Sequence, residues 1–525
     1  MDRHEQRLVT FLSRPESFPR RVTQLIRRET HVSHVFLAGP FAYKLKKPVK
    51  FPFLDASSLS SRKQFCRLEL SLNRRLAPAT YLGMVPVTET RGELAVGGKG
   101  RVVEWLVKMR RLPEARMLDR LVARRAVGRR EMEQIAWRLA PFFQRAARGR
   151  AIDRFGLPAQ VAELVLGNVR ECQPFVGSLL PAADRAFLEA AYRQFLALHE
   201  PLLARRVREG RIIDGHGDLR CENICLTHPI TIFDCVEFQP AFRCGDMAND
   251  FSFLLMDLEF RGRGDLADAM IRRYRAAMRD PDADRLLPFY KCHRSLVRGK
   301  VRGLAWLQHP RSAAGLRVRG LSRRHFRLAV QYAKRFAPPR LIVIGGIIGT
   351  GKSTLARSLS EALGAVWLRT DEIRLGAFAT HRRRGQGFSE GLYAPRVSEL
   401  VYRRLIRQAR AAVRQGRSVL CDGTFSKVAG RMALRAIARR HGASFHFFEC
   451  VVPRSVALRR IARRYTSGSD ISEARPQHYD RLRRGFEPVR GWSARDWTKI
   501  SDNRAPDATL RAALAALRRA WLDLP

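Results

Sequence analysis

The sequence predicts two folded regions of different class: an α+β region over residues 1–336, with a small sheet-rich lobe to about residue 110 and a helical lobe over about 111–336, then an α/β region with a parallel sheet over 338–525. Three observations carry this. Short strand-like runs crowd the first lobe, and a mostly helical pattern follows from Arg111 to Ala333. Beyond Arg340, strand-like and helix-like runs alternate, as in a parallel sheet covered by helices on both faces. Between the two regions, Ala337-Pro338-Pro339 closes a basic helical stretch, Leu321 to Phe336, and two prolines stop a helix and stiffen a connector. A chain of 525 residues exceeds one ordinary domain, and 46% hydrophobic residues suit well-cored units.

In the first region, His31–Ala38 and Phe41–Lys47 read as two strands around Gly39-Pro40, a hairpin. A helix is expected from about Ser58 to Leu76, followed by short strands at Met84–Val87, Leu94–Val96 and Val102–Val107. The helical pattern after Arg111 is interrupted from Ile212 to Phe238. That interruption holds His216-Gly217-Asp218-Leu219-Arg220-Cys221-Glu222-Asn223 and then Ile232-Phe233-Asp234. Two carboxylates and a carboxamide on loops beside short strands suit Mg²⁺–ATP chemistry, with Asp218 taking a hydroxyl proton and Asn223 and Asp234 offering hard oxygen ligands.

On H-G-D-x-x-x-x-N, the aspartate after a short apolar strand, and the segment Gly245-Asp246-Met247-Ala248-Asn249-Asp250, the first region resembles the aminoglycoside phosphotransferase family and its protein-kinase-like relatives. The resemblance implies a bilobal protein-kinase-like fold and a bracing role for Asp250. It also implies a strand lysine paired with a helix glutamate. Lys44 is the candidate lysine, with Lys46 the alternative on the same strand face, and Glu69 is the matching acid. Arg220 stands where that family often has histidine. The first hairpin offers only Gly39-Pro40 where protein kinases carry a glycine-rich phosphate cover. That departure supports a second reading, in which the first region binds nucleotide without transferring phosphate. Cys221, Cys225, Cys235 and Cys244 lack the paired spacing of a zinc site.

The second region opens with the apolar run Leu341–Ile344 and then Gly346-Ile347-Ile348-Gly349-Thr350-Gly351-Lys352-Ser353-Thr354, which fits G-x-x-x-x-G-K-[ST]. A helix-compatible stretch, Ser353 to Leu363, follows. Strand, glycine loop and helix in that order make a cradle in which backbone N–H groups face phosphates. Lys352 is placed for the β- and γ-phosphates, and Ser353 for Mg²⁺. Val366–Arg369, Ser418–Cys421 and Phe445–Val452 read as further strands. Asp371 and Arg374 follow the second strand, where ligands of open α/β sheets bind, and are candidates to activate and hold an acceptor hydroxyl. Asp422 ends the third strand as a candidate for the magnesium shell. Arg460 and Arg464, four apart on one helix face, are candidate lid arginines for the transferring phosphate.

The D-x-x-R after the second strand and the D-x-T after the third resemble the P-loop kinases that include polynucleotide 5′-hydroxyl, gluconate and chloramphenicol kinases. End to end, the chain resembles bacterial two-domain proteins that join the two types. The resemblance implies ATP and Mg²⁺ as cofactors and small hydroxylated acceptors, sugar- or aminoglycoside-like at the first region. A net charge of +49 invites a nucleic-acid partner, but the arginines are spread over nearly every expected helix, so that reading is the less favoured one. Residues 1–18 lack the apolar core of a signal peptide, no run is long enough for a membrane span, and nine cysteines follow no paired framework. A cytoplasmic location is the expectation.

Overall fold

The structure, a computed structural model, describes all residues except 1–2, 21, 52–53, 379–393, 468–475, 502, 504 and 523–525, and leaves the side chains of 378 and 464–467 undescribed. The chain divides into two compact units: Met1–Val161 with Ala204–Arg298, and Ala162–Leu203 with Gly299–Pro525. This differs from a cut at 337, because residues 162–203 and 299–337 group with the C-terminal sheet. The cause is apolar burial and hydrogen bonding. Leu198, on the helix Ala182–Arg208, shares a buried cluster with Ile342, Ile344, Leu355 and Leu359. Gln194 on the same helix donates to the Pro338 carbonyl at 3.0 Å and receives the Ser418 hydroxyl.

In the first unit, the described strands of the main sheet are β1 (Leu25–Glu29), β2 (Ser33–Ala38), β3 (Phe41–Lys46), β4 (Tyr81–Thr90), β5 (Glu93–Val96) and β6 (Arg101–Arg110). They pair antiparallel in the order β1-β2-β3-β6-β4-β5. Strand β1 is absent from the sequence expectation, and β4 and β6 run longer than expected because cross-strand pairing carries them past their apolar centres. The expected helix runs Leu59–Arg74, with the Ser58 hydroxyl accepting the Ser61 N–H at 3.1 Å as its N-cap. Alternation on β3 sorts its side chains. Tyr43 and Leu45 pack with Leu8 and Leu12 of the helix Arg3–Leu12, while Ala42 packs with Cys66 of the helix on the opposite face.

Two short antiparallel ribbons frame the polar loops of this unit: β7 (Ile212–Asp214) with β10 (Cys244–Asp246), and β8 (Ile224–Cys225) with β9 (Thr231–Ile232). Asp246 caps the helix Met247–Phe260, accepting the Ala248 N–H at 2.8 Å. Arg206, 1% exposed, pairs with Asp246 and Asp280 and pins that junction.

In the second unit, the described strands are β11 (Arg340–Gly345), β12 (Val366–Arg369), β13 (Val419–Asp422), β14 (Ser444–Val451) and β15 (Trp497–Ser501). All pairs are parallel, in the order β12-β13-β11-β14-β15. Every residue of central β11 is buried, as expected where helices cover both faces. Strand β15 is an addition to the sequence expectation. Among the described residues no helix is long and apolar enough to cross a membrane.

Candidate functional sites

The phosphate loop leaves the carboxyl end of β11. Gly346 has φ 138°, and a Cβ there would lie 2.5 Å from the Cys450 carbonyl oxygen. Gly349 has φ 77°, and its Cβ would meet the Ala457 carbonyl at 2.7 Å. Only glycine fits either position. Gly351, also left-handed at φ 81°, caps the helix Lys352–Leu363, which therefore starts one residue earlier than Ser353. The Thr350 hydroxyl and the Lys352 ammonium both donate to the Ile347 carbonyl, at 2.8 and 2.7 Å. Ile347 and Ile348 pack against Ala457, Leu458 and Ile461 of the helix Arg454–Ser467, which seats that helix on the loop. Arg460 lies on the same helix; the side chain of Arg464 lies outside the described residues, and Thr354 belongs to the first turn after the loop.

Neighbouring strands bring the other predicted groups to this edge. Asp422, 4% exposed at the end of β13, lies near the Ser353 hydroxyl. Burial pushes its carboxyl up from the ordinary value, while the nearby Lys352 charge and the Ser353 hydroxyl oppose that rise. A buried carboxylate near a hydroxyl, beside the amides of a glycine loop, is a donor set that fits Mg²⁺. Asp371 accepts from Arg374 at 2.8 Å, one turn apart on the helix Thr370–Phe378. The acceptor candidates are therefore paired with each other here. Sequence reasoning missed Arg369, which pairs with Glu372 at 2.9 Å, lies 3.8 Å from Asp422 and sits over the Trp367 ring. It also missed Tyr402, whose hydroxyl is 3.0 Å from the Thr424 hydroxyl and accepts the Phe425 N–H at 2.9 Å. A lone tyrosine in an arginine-rich helix carries no sequence signal for this.

In the first unit, Lys44 and Lys46 both reach Glu69, as their shared strand face predicts. Their second partners differ. Lys44 pairs with Asp234 at 2.7 Å, whereas Lys46, 5% exposed, is closed off by Glu237. Burial works against the charge on Lys44, but Asp234 and then Glu69 outweigh it and hold the ammonium well above its usual range. Burial likewise raises Glu69, and Lys44 and Lys46 together overcome it, leaving its carboxyl at about 2. Asp234 is in left-handed backbone at φ 63°, which turns its carboxylate toward Lys44.

Asp250 accepts the backbone N–H groups of His216 and Gly217 at 2.7 and 2.8 Å, the bracing contact the resemblance implies. Burial pushes the His216 imidazole down, and its Nε2 faces the Phe233 carbonyl at 3.0 Å, so it ties the two loops together. Asp218 is held by a fork from Arg220, at 2.7 and 2.8 Å, and by the Asn223 amide at 2.9 Å. Burial opposes its charge, yet the Arg220 guanidinium wins and keeps the carboxyl well below the usual carboxylate range. Arg220 in turn pairs with Glu222. The turn between β1 and β2, Thr30–Val32, contains no glycine.

Compared with known proteins, residues 341–489 match the AAA domain family model. Proteins of Mycobacterium bovis and Mycobacterium tuberculosis, both described as uncharacterized, are 35% identical over 458 residues, covering 85% of this chain and 87% of theirs. Among solved structures, a sugar kinase from a Janibacter species is 20% identical, covering 34% of this chain and 95% of that one, with a TM-score of 0.28. A gluconokinase from Sinorhizobium meliloti is 19% identical, covering 34% and 93%, with a TM-score of 0.27.

Proposed function

The chain belongs to the family of these mycobacterial proteins, and we propose that it is an ATP-dependent phosphotransferase acting on small hydroxylated molecules. The observation that carries this is the convergence, at the carboxyl edge of one parallel sheet, of the phosphate loop with Ser353, Asp422, Asp371 and Arg374. Lys352 would exchange its loop carbonyl for the β- and γ-phosphates. Asp371 would take the proton of the acceptor hydroxyl, and Arg374, released from that carboxylate, would hold the acceptor. Ser353 and Asp422 would hold Mg²⁺, which when bound neutralises phosphate charge. The acceptor oxygen then bonds to the γ-phosphorus as the bond to ADP breaks.

The test is the full chain with labelled ATP and Mg²⁺ against a metabolite extract, run beside Lys352→Ala. The expected result is newly labelled species that need Lys352; their absence would sink this reading.

For the first unit, we propose a second ATP site of protein-kinase-like arrangement. Lys44 would grip phosphates, Asn223 and Asp234 would hold Mg²⁺, and Asp218 would act as base. Its support is the meeting of Lys44, Glu69 and Asp234 from three separate segments. Binding without transfer is the second reading, favoured by the Arg220 fork on Asp218 and by the glycine-free turn at 30–32. Melting the Lys352→Ala protein with and without Mg²⁺–ATP tests whether this unit binds nucleotide at all. A transition that ignores nucleotide removes both readings.

A further inference from the structure

Arg431 is 1% exposed, and its contacts are main-chain carbonyls instead of carboxylates. Its Nε donates to the Phe425 carbonyl at 2.7 Å, and its Nη2 donates to the carbonyls of Ser426 and Glu487 at 2.9 and 2.6 Å. The rings of Phe447 and Phe486 lie 5.2 and 4.7 Å from the guanidinium carbon. Burial depresses its pKa, against the opposing charges of Glu449 and Glu487.

Two of the three carbonyls, those of Phe425 and Ser426, belong to one turn. Phe425 has φ 45°, a left-handed conformation that is strained for an aromatic residue. Two residues earlier, Gly423 donates to the Ile344 carbonyl at 3.3 Å, and a Cβ there would clash with Thr370 at 2.7 Å. The Thr424 carbonyl accepts the Gly346 N–H of the phosphate loop at 3.0 Å. The turn thus ties Asp422 to the loop, and the main chain of Phe425 is gripped from outside the turn by the Tyr402 hydroxyl, which accepts its N–H, and by Arg431, which donates to its carbonyl. Glu487 completes the stitch from the other side. Its N–H donates to the Ser426 carbonyl at 2.9 Å, and its carboxylate accepts the Val428 N–H at 2.6 Å.

We propose that Arg431 is a positioning residue for the magnesium side of the phosphate site, holding the turn 423–426 in the strained form that keeps Asp422 beside Ser353 and the loop. This rests on the reading that Asp422 and Ser353 hold magnesium. Arginine is suited to the task because its planar fork sets donors on separate nitrogens toward separate carbonyls, where a lysine ammonium offers all its donors from one point.

The test is calorimetric titration of ADP into the full chain with and without Mg²⁺, following the binding component that Lys352→Ala abolishes. In Arg431→Met, metal-free ADP affinity should stay near wild type, while the tightening that magnesium confers should fall about 10-fold, as for loss of a residue that orients a metal ligand. Arg431→Lys should not restore it. A purely structural role would lower the melting temperature and leave the magnesium tightening intact, and that outcome overturns the proposal. If Arg431→Met does not fold, Glu487→Ala decides, since its carboxylate holds the Val428 N–H two residues beyond the turn and so helps seat the segment whose carbonyls Arg431 grips. A smaller loss of magnesium tightening supports the proposal, and an unchanged value overturns it. Asp422→Asn in the same titration separates the two ideas. If that variant keeps the full magnesium effect, the metal reading itself fails; if it loses the effect while Arg431→Met keeps it, only the role of Arg431 fails.

Discussion

In the first unit the charged groups of the candidate site are already paired with one another, whereas the second unit presents a backbone cradle shaped before any ligand arrives. Lys44 spans Glu69 and Asp234, and Asp218 is forked by Arg220. In the phosphate loop the defining features are glycine dihedrals and a helix start, with Lys352 on a carbonyl. The difference teaches where binding energy goes. A ligand of the first unit would have to exchange partners in an ion network whose Lys44 and Glu69 are largely buried and whose Asp234 is half-exposed, so its binding would be sensitive to the loss of Lys44 or Glu69. A ligand of the second unit meets donors whose orientation is set by main-chain geometry.

The largest expected effect is on the second unit. Lys352→Ala should remove most of its nucleotide binding, because no other side chain of the loop carries a charge to the phosphates. Titration of ATP into the full chain checks this, and an unchanged high-affinity component would break the contrast at its root.

Next is Glu69→Gln, which removes the carboxylate that two buried ammonium groups share and leaves each with one. The cost should be about 3–5 kcal/mol of unfolding free energy, read by denaturant titration. The pH dependence sharpens the same point. Glu69 is held at about 2 against an ordinary 4.5, so its contribution is complete above about pH 4.5 and is lost as pH falls toward 2. The variant should lack that part of the acid limb. A substitution costing under about 1 kcal/mol would mean the network behaves like an exposed ion pair.

Leu198→Ala should destabilise the second unit by about 3 kcal/mol, the usual cost of emptying a buried leucine site. The loss should appear in the melting transition that Mg²⁺–ATP raises through the phosphate loop. It is a direct check that a helix from the middle of the chain completes the C-terminal core, and a fragment starting at 338 should melt below the full chain for the same reason.

The smallest effect expected is Asp218→Asn, at about 10²-fold in transfer by the first unit, with nucleotide affinity kept. Measured in the Lys352→Ala background, equal rates with and without Asp218 would favour the reading in which this unit binds without transferring.

The phosphate loop was legible in the sequence because its determinants are contiguous: three glycines, a lysine and a serine act through local backbone geometry. The H-G-D and G-D segments were legible as motifs for the same reason, and Asp250 reaches the backbone of His216 and Gly217 as they suggest. The division of partners between Lys44 and Lys46 was not, since a period of two puts both on one face. It turns on Asp234 and Glu237, which lie about 190 residues away in sequence and each claim one lysine. Strands β1 and β15 escaped notice because their charged or short runs become strands only by pairing with β2 and β14.

The sequence by itself determined which segments can cradle phosphate, which loops carry carboxylates, and that a sheet-rich lobe precedes a parallel sheet, because dihedral preference, alternation and motif spacing are properties of neighbouring residues. Only the tertiary structure decided that residues 162–203 complete the C-terminal core, that Arg220 neutralises Asp218, that Asp371 and Arg374 pair, and that Arg431 grips the turn behind Asp422. Those facts depend on burial and on which charges meet once water is excluded. Such energies are set by distance in space, and sequence separation carries little trace of them.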